Sequence, residues 1–284
     1  MADPRDAVAG HAPARLEALT VGRTAHDVAR LLRGAPHERR EFPATAFLWT
    51  AGDRRVLLDT GYPAGRWRTG PAGWAYRRLL PPRLGPGEGI AEQVDPATVT
   101  DVVLTHLHPD HVGGLRDLPA ARVTISAGAA RTLAGARLRD GLLRGLVPPS
   151  LRRARVVPDE AFVPGPHGLR VHAPFDDDRW LLVDLPGHAD GHVGALVRGP
   201  HGDVLLAGDA AWGRDLLGEE GRMRVVPRLV GHDHDAQART ARTLLAAERA
   251  GVRLLFSHDV HPGGVDLLWS GVGHGGRADR GEPT

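Results

Sequence analysis

The sequence of this 284-residue chain predicts a layered α/β fold. A short β-branched strand at 122–125 is followed by a helical segment that runs to residue 133. A series of short apolar strands then precedes the clearest helix at 235–249; we place these strands at 169–173, 180–184, 194–198 and 204–207. Helices that flank two runs of strands are typical of sheets covered by helices.

The first third of the chain gives less uniform signals. Residues 14–34 predict a helical or mixed segment, because Thr24 and Asp27 resemble a capping box. Two apolar runs joined by a turn at 51–53 predict a β-hairpin, and Asp59 lies at the end of its second strand. Residues 62–96 are rich in Pro, Gly, Trp and Arg and have weak periodicity, so we expect an insertion that covers a cleft.

The remaining segments complete one predicted domain. Ser126 is placed to cap the helix that follows it, residues 141–155 suggest a helix broken by prolines, and 252–256 form a last buried strand. Residues 271–284 are polar and Gly-rich, which predicts a flexible tail. With no repeat and no linker in view, we expect a single domain over 1–284 with its core at about 42–262.

Composition limits the possible functions. The chain has no cysteine, which excludes disulfides, thiolate nucleophiles and cysteine-ligated zinc. All 36 basic residues are arginine, and they are interleaved with acids to a net charge of +2, so the high pI of about 9.8 does not predict a nucleic-acid partner. The N-terminal residues carry charges throughout and no run has membrane-spanning length, so we expect a cytoplasmic protein without a membrane partner.

A cluster of metal-ligand residue types lies in VVLTHLHPDHVGG, residues 102–114. His106 and His108 follow a buried strand, and alternate residues of an extended segment point the same way. Pro109 then turns the chain, so that Asp110 and His111 face a second position a few ångströms away. Imidazole and carboxylate at this spacing predict a pair of borderline divalent cations.

Three further residues repeat this arrangement, each one to a few residues beyond the end of a predicted strand: His188, Asp209 and His258. Any one of them alone is more typical of an ordinary loop residue. Together with the cluster they supply five imidazoles and two carboxylates, the number that two metals sharing a bridging carboxylate require. Asp59, at the end of the hairpin, is a candidate to hold a ligand by hydrogen bonds.

These residues resemble the pattern of the metallo-β-lactamase superfamily, in which DTG, HxHxDH, a lone His, a lone Asp and a lone His occur in this order. The resemblance covers about residues 42–262 and implies a four-layer αββα sandwich. It implies a first metal held by His106, His108 and His188, and a second held by Asp110, His111 and His258. Asp209 would bridge the two. The cofactors would be two divalent ions, zinc in the first instance, with iron, manganese or cobalt as alternatives.

The resemblance also implies a hydrolase, in which a hydroxide bound to both metals attacks a carbonyl carbon and Asp110 shuttles the proton to the leaving group. PATAFLW before the hairpin and SHD at the last ligand look most like the quorum-quenching acyl-homoserine lactonases. Those enzymes carry a tyrosine three residues beyond the bridging aspartate, where this chain has Trp212. Tyr62 and Tyr76 are the candidates to supply a hydroxyl instead, and either can also be a packing residue.

Other interpretations stay open from the sequence. GHADGH around His188 also resembles glyoxalase-II-like thioesterases, and a persulfide dioxygenase with one iron would be an oxidoreductase of the same family. The expected partner is therefore a small ester, lactone or thioester, whereas the oligomeric state is not predicted. His192 and Asp259, close to the ligands His188 and His258, are further candidates to support a ligand or contact substrate.

Overall fold

The computed structural model describes residues 13–135, 140–224, 228 and 231–269, and in them two six-stranded sheets. The first sheet takes the first six strands in chain order; these are β1 (Ala14–Asp27), β2 (Arg39–Ala51), β3 (Arg54–Leu58), β4 (Asp101–Val103), β5 (Arg122–Ser126) and β6 (Arg155–Val157). β1 to β3 pair antiparallel, whereas β3 to β6 run parallel. The predicted hairpin at residues 46–58 is confirmed as β2 and β3.

The second sheet holds the remaining strands in the order β12-β11-β10-β9-β8-β7. Its members are β7 (Val163–Pro164), β8 (Arg170–His172), β9 (Trp180–Asp184), β10 (Val193–Gly199), β11 (Gly202–Leu206) and β12 (Arg253–Leu255). Only β11 and β12 pair in parallel, with the longest helix as their connection. The two sheets thus divide the chain into consecutive halves.

The helices among the described residues are mostly short. They are α1 (Val28–Leu31), α2 (Gly70–Leu79), α3 (Ile90–Gln93), α4 (Pro109–Val112), α5 (Ala127–Gly135), α6 (Pro149–Arg152) and α7 (His234–Arg249). Ser126 caps α5 as predicted, because its Oγ accepts a hydrogen bond of 3.1 Å from the backbone N–H of Ala129. Across the described residues, none of the helices combines the length and the apolar character needed to cross a membrane.

Alternation along the strands builds three apolar layers. In β9, Trp180 and Leu182 face the other sheet, whereas Leu181 and Val183 face α7. In β3, Leu57 likewise points away from the second sheet, into a core covered by α4 to α6 and by residues of the segment 62–96. The middle cluster joins the two sheets and each outer cluster joins one sheet to its helices, so the chain is a four-layer αββα sandwich, as predicted.

The segment 14–34, predicted as helical or mixed, is mainly a strand, and the capping box expected at Thr24 is wrong. Residues 14–27 form the longest strand, which pairs with β2 along its length and has a register shift between Thr20 and Arg23. That bulge places apolar residues at mixed spacings, which imitated a helical period. The helix is confined to α1, and its N-cap is Asp27, whose carboxylate accepts a 3.0 Å hydrogen bond from Ala29. Tertiary pairing therefore overrides the local signal.

Smaller differences concern helix ends. Asp233, not Asp235, caps α7 by accepting a hydrogen bond of 2.9 Å from the backbone N–H of Ala236. The helix expected over 141–155 consists of a single 3₁₀ turn at Arg144–Leu146 and the four-residue α6. The tail predicted at 271–284 lies outside the described residues.

Candidate metal centre

One edge of the sandwich gathers the ends of strands from both sheets. His106 and His108 follow β4, and α4 then carries Asp110 and His111. From the second sheet come residues that follow β9, β11 and β12, namely His188, Asp209 and His258. Within each sheet the carboxyl ends of neighbouring strands share this edge, because β3 runs parallel to β4 and β11 runs parallel to β12.

The seven side chains form two groups, all of them buried. In each group every residue offers one donor atom that lies within 4.8 Å of the donors of the others; the groups are His106, His108, His188 and Asp209, and Asp110, His111 and His258. The second group has the three donors that the family resemblance implies for one metal, and the first has the three implied for the other together with Asp209. Segments separated by more than a hundred residues in sequence therefore converge on one place.

Asp209 lies between the two groups. Its Oδ2 is 3.4 Å from Nε2 of His188 and 3.1 Å from Nε2 of His258. Its Oδ1 is 3.3 Å from Nε2 of His111. One carboxylate thus contacts imidazoles of both groups, which is the position that a bridging ligand occupies.

Asp59 organises two of the imidazoles. Its Oδ2 accepts a 2.8 Å hydrogen bond from Nδ1 of His111 and another of 2.8 Å from the hydroxyl of Thr105. Because that hydroxyl gives its proton to Asp59, it accepts from Nδ1 of His106, 2.9 Å away. Both rings therefore carry their proton on Nδ1 and turn the lone pair of Nε2 toward the centre. The backbone of Asp59 is left-handed, with φ of 65°, which Asp tolerates better than most residues.

Hydrogen bonds of His258 and His192 fix the opposite side of the centre. Nδ1 of His258 donates to the carbonyl of Pro43 at 2.7 Å, which leaves its Nε2 toward Asp209. His192 donates from Nδ1 to the carbonyl of Leu185 at 2.9 Å and accepts at Nε2 from the backbone N–H of Asp209 at 3.1 Å. His192 thus positions the loop that carries Asp209, and burial lowers its pKa to about 4, which keeps the ring neutral.

The centre concentrates negative charge. Burial disfavours a charged His111, yet the carboxylates of Asp209, Asp59 and Asp110 outweigh burial and raise its pKa well above the ordinary value. The same competition, with Asp209 as the main carboxylate, raises the pKa of His258 to about 9. Carboxylates buried at this density need positive charge beside them, which protons or divalent cations can supply.

The donor set fits divalent cations. Within the described part of the chain, Nε2 of His106, Nε2 of His111 and Oδ1 of Asp209 are buried without a hydrogen-bond partner. Buried polar atoms are nearly always satisfied, and three such atoms that face one another need a common partner. Imidazole nitrogens and carboxylate oxygens without sulfur suit zinc, iron, manganese or cobalt, so the choice among these ions stays a proposal.

Sequence reasoning did not identify two supporting residues. Thr105 relays the hydrogen bond from Asp59 to His106, and its only signal is a small hydroxyl residue directly before a ligand. Gly141 lies flat against His108, since a Cβ there would be 2.4 Å from Cδ2 of the ring and the glycine has φ of 69°. Nothing in the sequence around Gly141 indicates this contact.

The remaining candidates lie around the centre in different roles. Trp212 packs in an apolar cluster with Leu32 and Phe42, and Phe42 in turn contacts the ring of His258. Asp259 does not contact the outer nitrogen of His258. It accepts a 2.9 Å hydrogen bond from the backbone N–H of Arg214 and thereby ties the loop after Trp212 to the last ligand loop.

A second set of candidate residues lies on the side of α4. Tyr62 is 1% exposed, its backbone N–H donates to the carbonyl of Val21 at 3.0 Å, and its hydroxyl lies 3.5 Å from that of Tyr76. Both tyrosines belong to the segment 62–96.

Comparisons with known proteins agree with this geometry. The sequence profile of the metallo-beta-lactamase superfamily matches residues 39–258. A probable metallo-hydrolase of Mycobacterium tuberculosis is 30% identical over 194 residues, which cover 61% of this chain. The chain spans 57% of the length of that relative. An N-acyl homoserine lactonase of Azorhizobium caulinodans is 28% identical over 234 residues, covering 77% of this chain and 82% of the lactonase.

Solved structures share the fold. An N-acyl homoserine lactone hydrolase with N-hexanoyl-L-homoserine at its metal centre superposes with a TM-score of 0.64 at 17% identity, covering 87% of this chain and 93% of that one. A probable metal-dependent hydrolase from Staphylococcus aureus gives a TM-score of 0.68 at 13% identity, covering 88% and 90%. Because the profile match spans most of the sandwich and includes every strand-end donor, the chain belongs to the metallo-β-lactamase superfamily.

Proposed function

We propose that this chain hydrolyses lactones or esters with two divalent cations bound at the candidate metal centre. The observation that carries the proposal is Asp209, whose two carboxylate oxygens contact imidazoles of both donor groups at 3.1 to 3.4 Å. Two complete donor groups that share one carboxylate support a dinuclear centre over the single iron of a dioxygenase. Bound at these groups, the cations would supply a water that ionises near neutral pH and a Lewis acid for the carbonyl oxygen.

Asp110 is the proposed proton carrier. Its Oδ2 lies 3.8 Å from Nε2 of His258 and its Oδ1 lies 3.9 Å from Nε2 of His111, so the carboxylate lies beside the second group. At 9% exposure it is the most accessible of the seven donors. It would accept the proton that the attacking water loses and give it to the leaving oxygen when the carbon–oxygen bond breaks.

Lactones come first among the substrates because the relatives with the highest mutual coverage include lactonases. A glyoxalase-II-like thioesterase differs in the leaving atom, which would be sulfur. The two activities need the same centre, so a substrate panel has to separate them.

The proposal is tested by elemental analysis of the purified full chain together with an N-acyl homoserine lactone, an aryl ester and a thioester. We expect about two metal equivalents and the fastest turnover on the lactone. His108→Ala should lose both metal and hydrolysis, whereas His201→Ala, a change at an exposed histidine, should lose neither. Full activity of His108→Ala, or wild-type protein that binds one iron and consumes oxygen, would overturn the proposal.

A further inference from the structure

The helix α2 presents an apolar face to the outside. Gly73 is its buried residue, and Tyr76 and Arg77 are half-buried on the same side. At about 100° per residue, six of its exposed positions lie within one half of the helix circumference. Five of the six are apolar, whereas a surface helix usually turns such residues inward. We call the six positions the α2 face; they are Pro71, Ala72, Trp74, Ala75, Arg78 and Leu79.

The two large side chains of the α2 face extend into solvent. Trp74 is 62% exposed and Leu79 is 69% exposed. The guanidinium carbon of Arg78 lies 6.0 Å from the ring centroid of Trp74, so charge and apolar surface are adjacent. On the inner side, Trp67 and Tyr76 pack against the apolar cluster of the first sheet. The helix is therefore anchored through one side, and within the described part of the chain its apolar face packs against nothing.

The segment around the α2 face is strongly cationic. Residues 60–87 contain five arginines and no acidic residue. Because the whole chain carries a net charge of +2 and this segment carries +5, the rest of the chain carries −3. Four of the five arginines are exposed and, among the described residues, have no ion-pair partner: Arg66, Arg68, Arg78 and Arg83. A local charge excess of this kind favours an anionic partner.

We propose that the α2 face and its exposed arginines form a docking surface for an anionic lipid bilayer. A helix that presents Trp and Leu beside arginines has the composition of helices that lie in a membrane interface. There the apolar side chains reach the acyl chains, and the guanidinium groups stay at the phosphates. The amphipathic indole of Trp74 suits the same depth.

The contact is peripheral and reversible, since a helix of ten residues buries little apolar surface. The expectation of no membrane partner concerned spanning segments, whereas docking needs only a surface. The proposal goes beyond the proposed hydrolase activity and does not depend on it.

The charge of the segment disfavours a second copy of this chain as the occupant. In a two-fold symmetric dimer the same patch lies on both sides of the interface. Five arginines would then oppose five, with no acidic residue of 60–87 to pair them. Like charges across an interface are unfavourable. A bilayer with anionic headgroups supplies negative charge and apolar depth together, which are the two properties that the α2 face needs.

The test is co-sedimentation of the full chain with vesicles of phosphatidylcholine alone or mixed equally with phosphatidylglycerol. We expect binding to the anionic vesicles and little to the neutral ones. Binding should weaken when NaCl rises from about 0.1 to 1 M, because the screening length falls from about 10 to 3 Å. Trp74→Gln should lower the partition coefficient about tenfold through lost apolar contact. Trp269→Gln is the matched control, since Trp269 is 57% exposed and lies outside α2, and it should bind like the wild type.

A second pair of variants tests the charge. Arg66→Gln with Arg68→Gln should lower the partition coefficient about 25-fold, at about fivefold per charge near an anionic surface. Arg239→Gln with Arg242→Gln removes the same charge from the exposed side of α7, in the outer layer of the other sheet, and should change binding less than about threefold. All of the substituted side chains except Arg68 and Trp269 lie on exposed turns of helices or loops, and unchanged melting profiles show that each variant is folded.

Equal binding of the wild type to both kinds of vesicle, or binding to neither, would overturn the proposal. Full vesicle binding by Trp74→Gln would overturn it as well, because charge alone would then account for the contact. Sedimentation velocity tests the second copy: a wild-type dimer that Trp74→Gln converts to a monomer would assign the α2 face to self-association instead. None of these measurements uses hydrolysis, so a failure here is distinguishable from a failure of the proposed function.

Discussion

Replacing Asp59 by asparagine tests how far the protonation of His111 depends on one buried carboxylate. The substitution keeps the size of the side chain, and asparagine suits the left-handed backbone at φ of 65° as well as aspartate does. Oδ1 can continue to accept from the backbone N–H of Thr105 at 2.8 Å. The amide nitrogen, however, replaces Oδ2 and faces two donors, Nδ1 of His111 and the hydroxyl of Thr105, each 2.8 Å away.

His111 can answer only by moving its proton to Nε2, which removes the lone pair that faces the centre. Loss of such a supporting partner typically costs 10- to 100-fold in metal affinity, which corresponds to about 1.4 to 2.8 kcal/mol. We therefore expect Asp59→Asn to bind Zn²⁺ about 10- to 100-fold more weakly in a competition titration against a chromophoric chelator. Asp233→Asn is the matched control, since asparagine caps a helix as well as aspartate does.

Wild-type zinc affinity in Asp59→Asn, measured on protein with an unchanged melting profile, would refute this account of the hydrogen-bond network. A loss of equal size in Asp233→Asn would refute it too, because that carboxylate lies at a helix end and not at the centre.

Three further predictions concern the surroundings of the centre. Gly141→Ala should displace the ring of His108 and weaken metal binding. The control is Gly168→Ala, at φ of 74° with open space around it, which should lose only about 1 to 2 kcal/mol of unfolding free energy in urea through backbone strain. Equal metal affinity in both variants would contradict the contact between Gly141 and His108. Burial lowers the pKa of His261 below 6.5, so the unfolded chain binds a proton at this residue more readily as the pH falls through that value. His261→Gln should therefore lose less free energy of unfolding than wild type between pH 7.5 and 5.5, by at most about 1.4 kcal/mol per pH unit. Parallel curves of unfolding free energy against pH would count against this prediction. Dialysis against a chelator should lower the melting temperature, and Zn²⁺ at about 100 times its Kd should restore roughly 2.7 kcal/mol of unfolding free energy. An unchanged melting temperature after both treatments would show that metal binding does not stabilise the fold.

The candidate donor residues could be named from the sequence because each lies a few residues beyond the end of a strand. HxHxDH fixes the spacing of four of them within six residues, and His188, Asp209 and His258 each come within a few residues of a short apolar run. The αββα layering followed from the family resemblance and agrees with the alternation in strands such as β9.

The parts that could not be predicted depend on contacts between distant segments. The strand β1 is defined by its pairing with β2, and its bulge near Thr20 disguises the period of two. Gly141 meets His108 only after the chain between them has folded, and the bond from Asp209 to His192 joins loops from different strands. A local pattern contains no information on such partners, whereas strand-end ligands need only the local pattern.

Because the chain forms its two sheets from consecutive halves, an ion bound at the centre would also link those two halves. The donors of α4 and its preceding loop follow a strand of the first sheet, whereas His188, Asp209 and His258 follow strands of the second. A bound cation would therefore connect the two halves of the polypeptide. Movement of one half relative to the other would separate the donors that hold the cation. Metal affinity would then depend on how well the two sheets pack against each other. A substitution in the apolar layer between the sheets would therefore weaken metal binding, although it lies far from the donors.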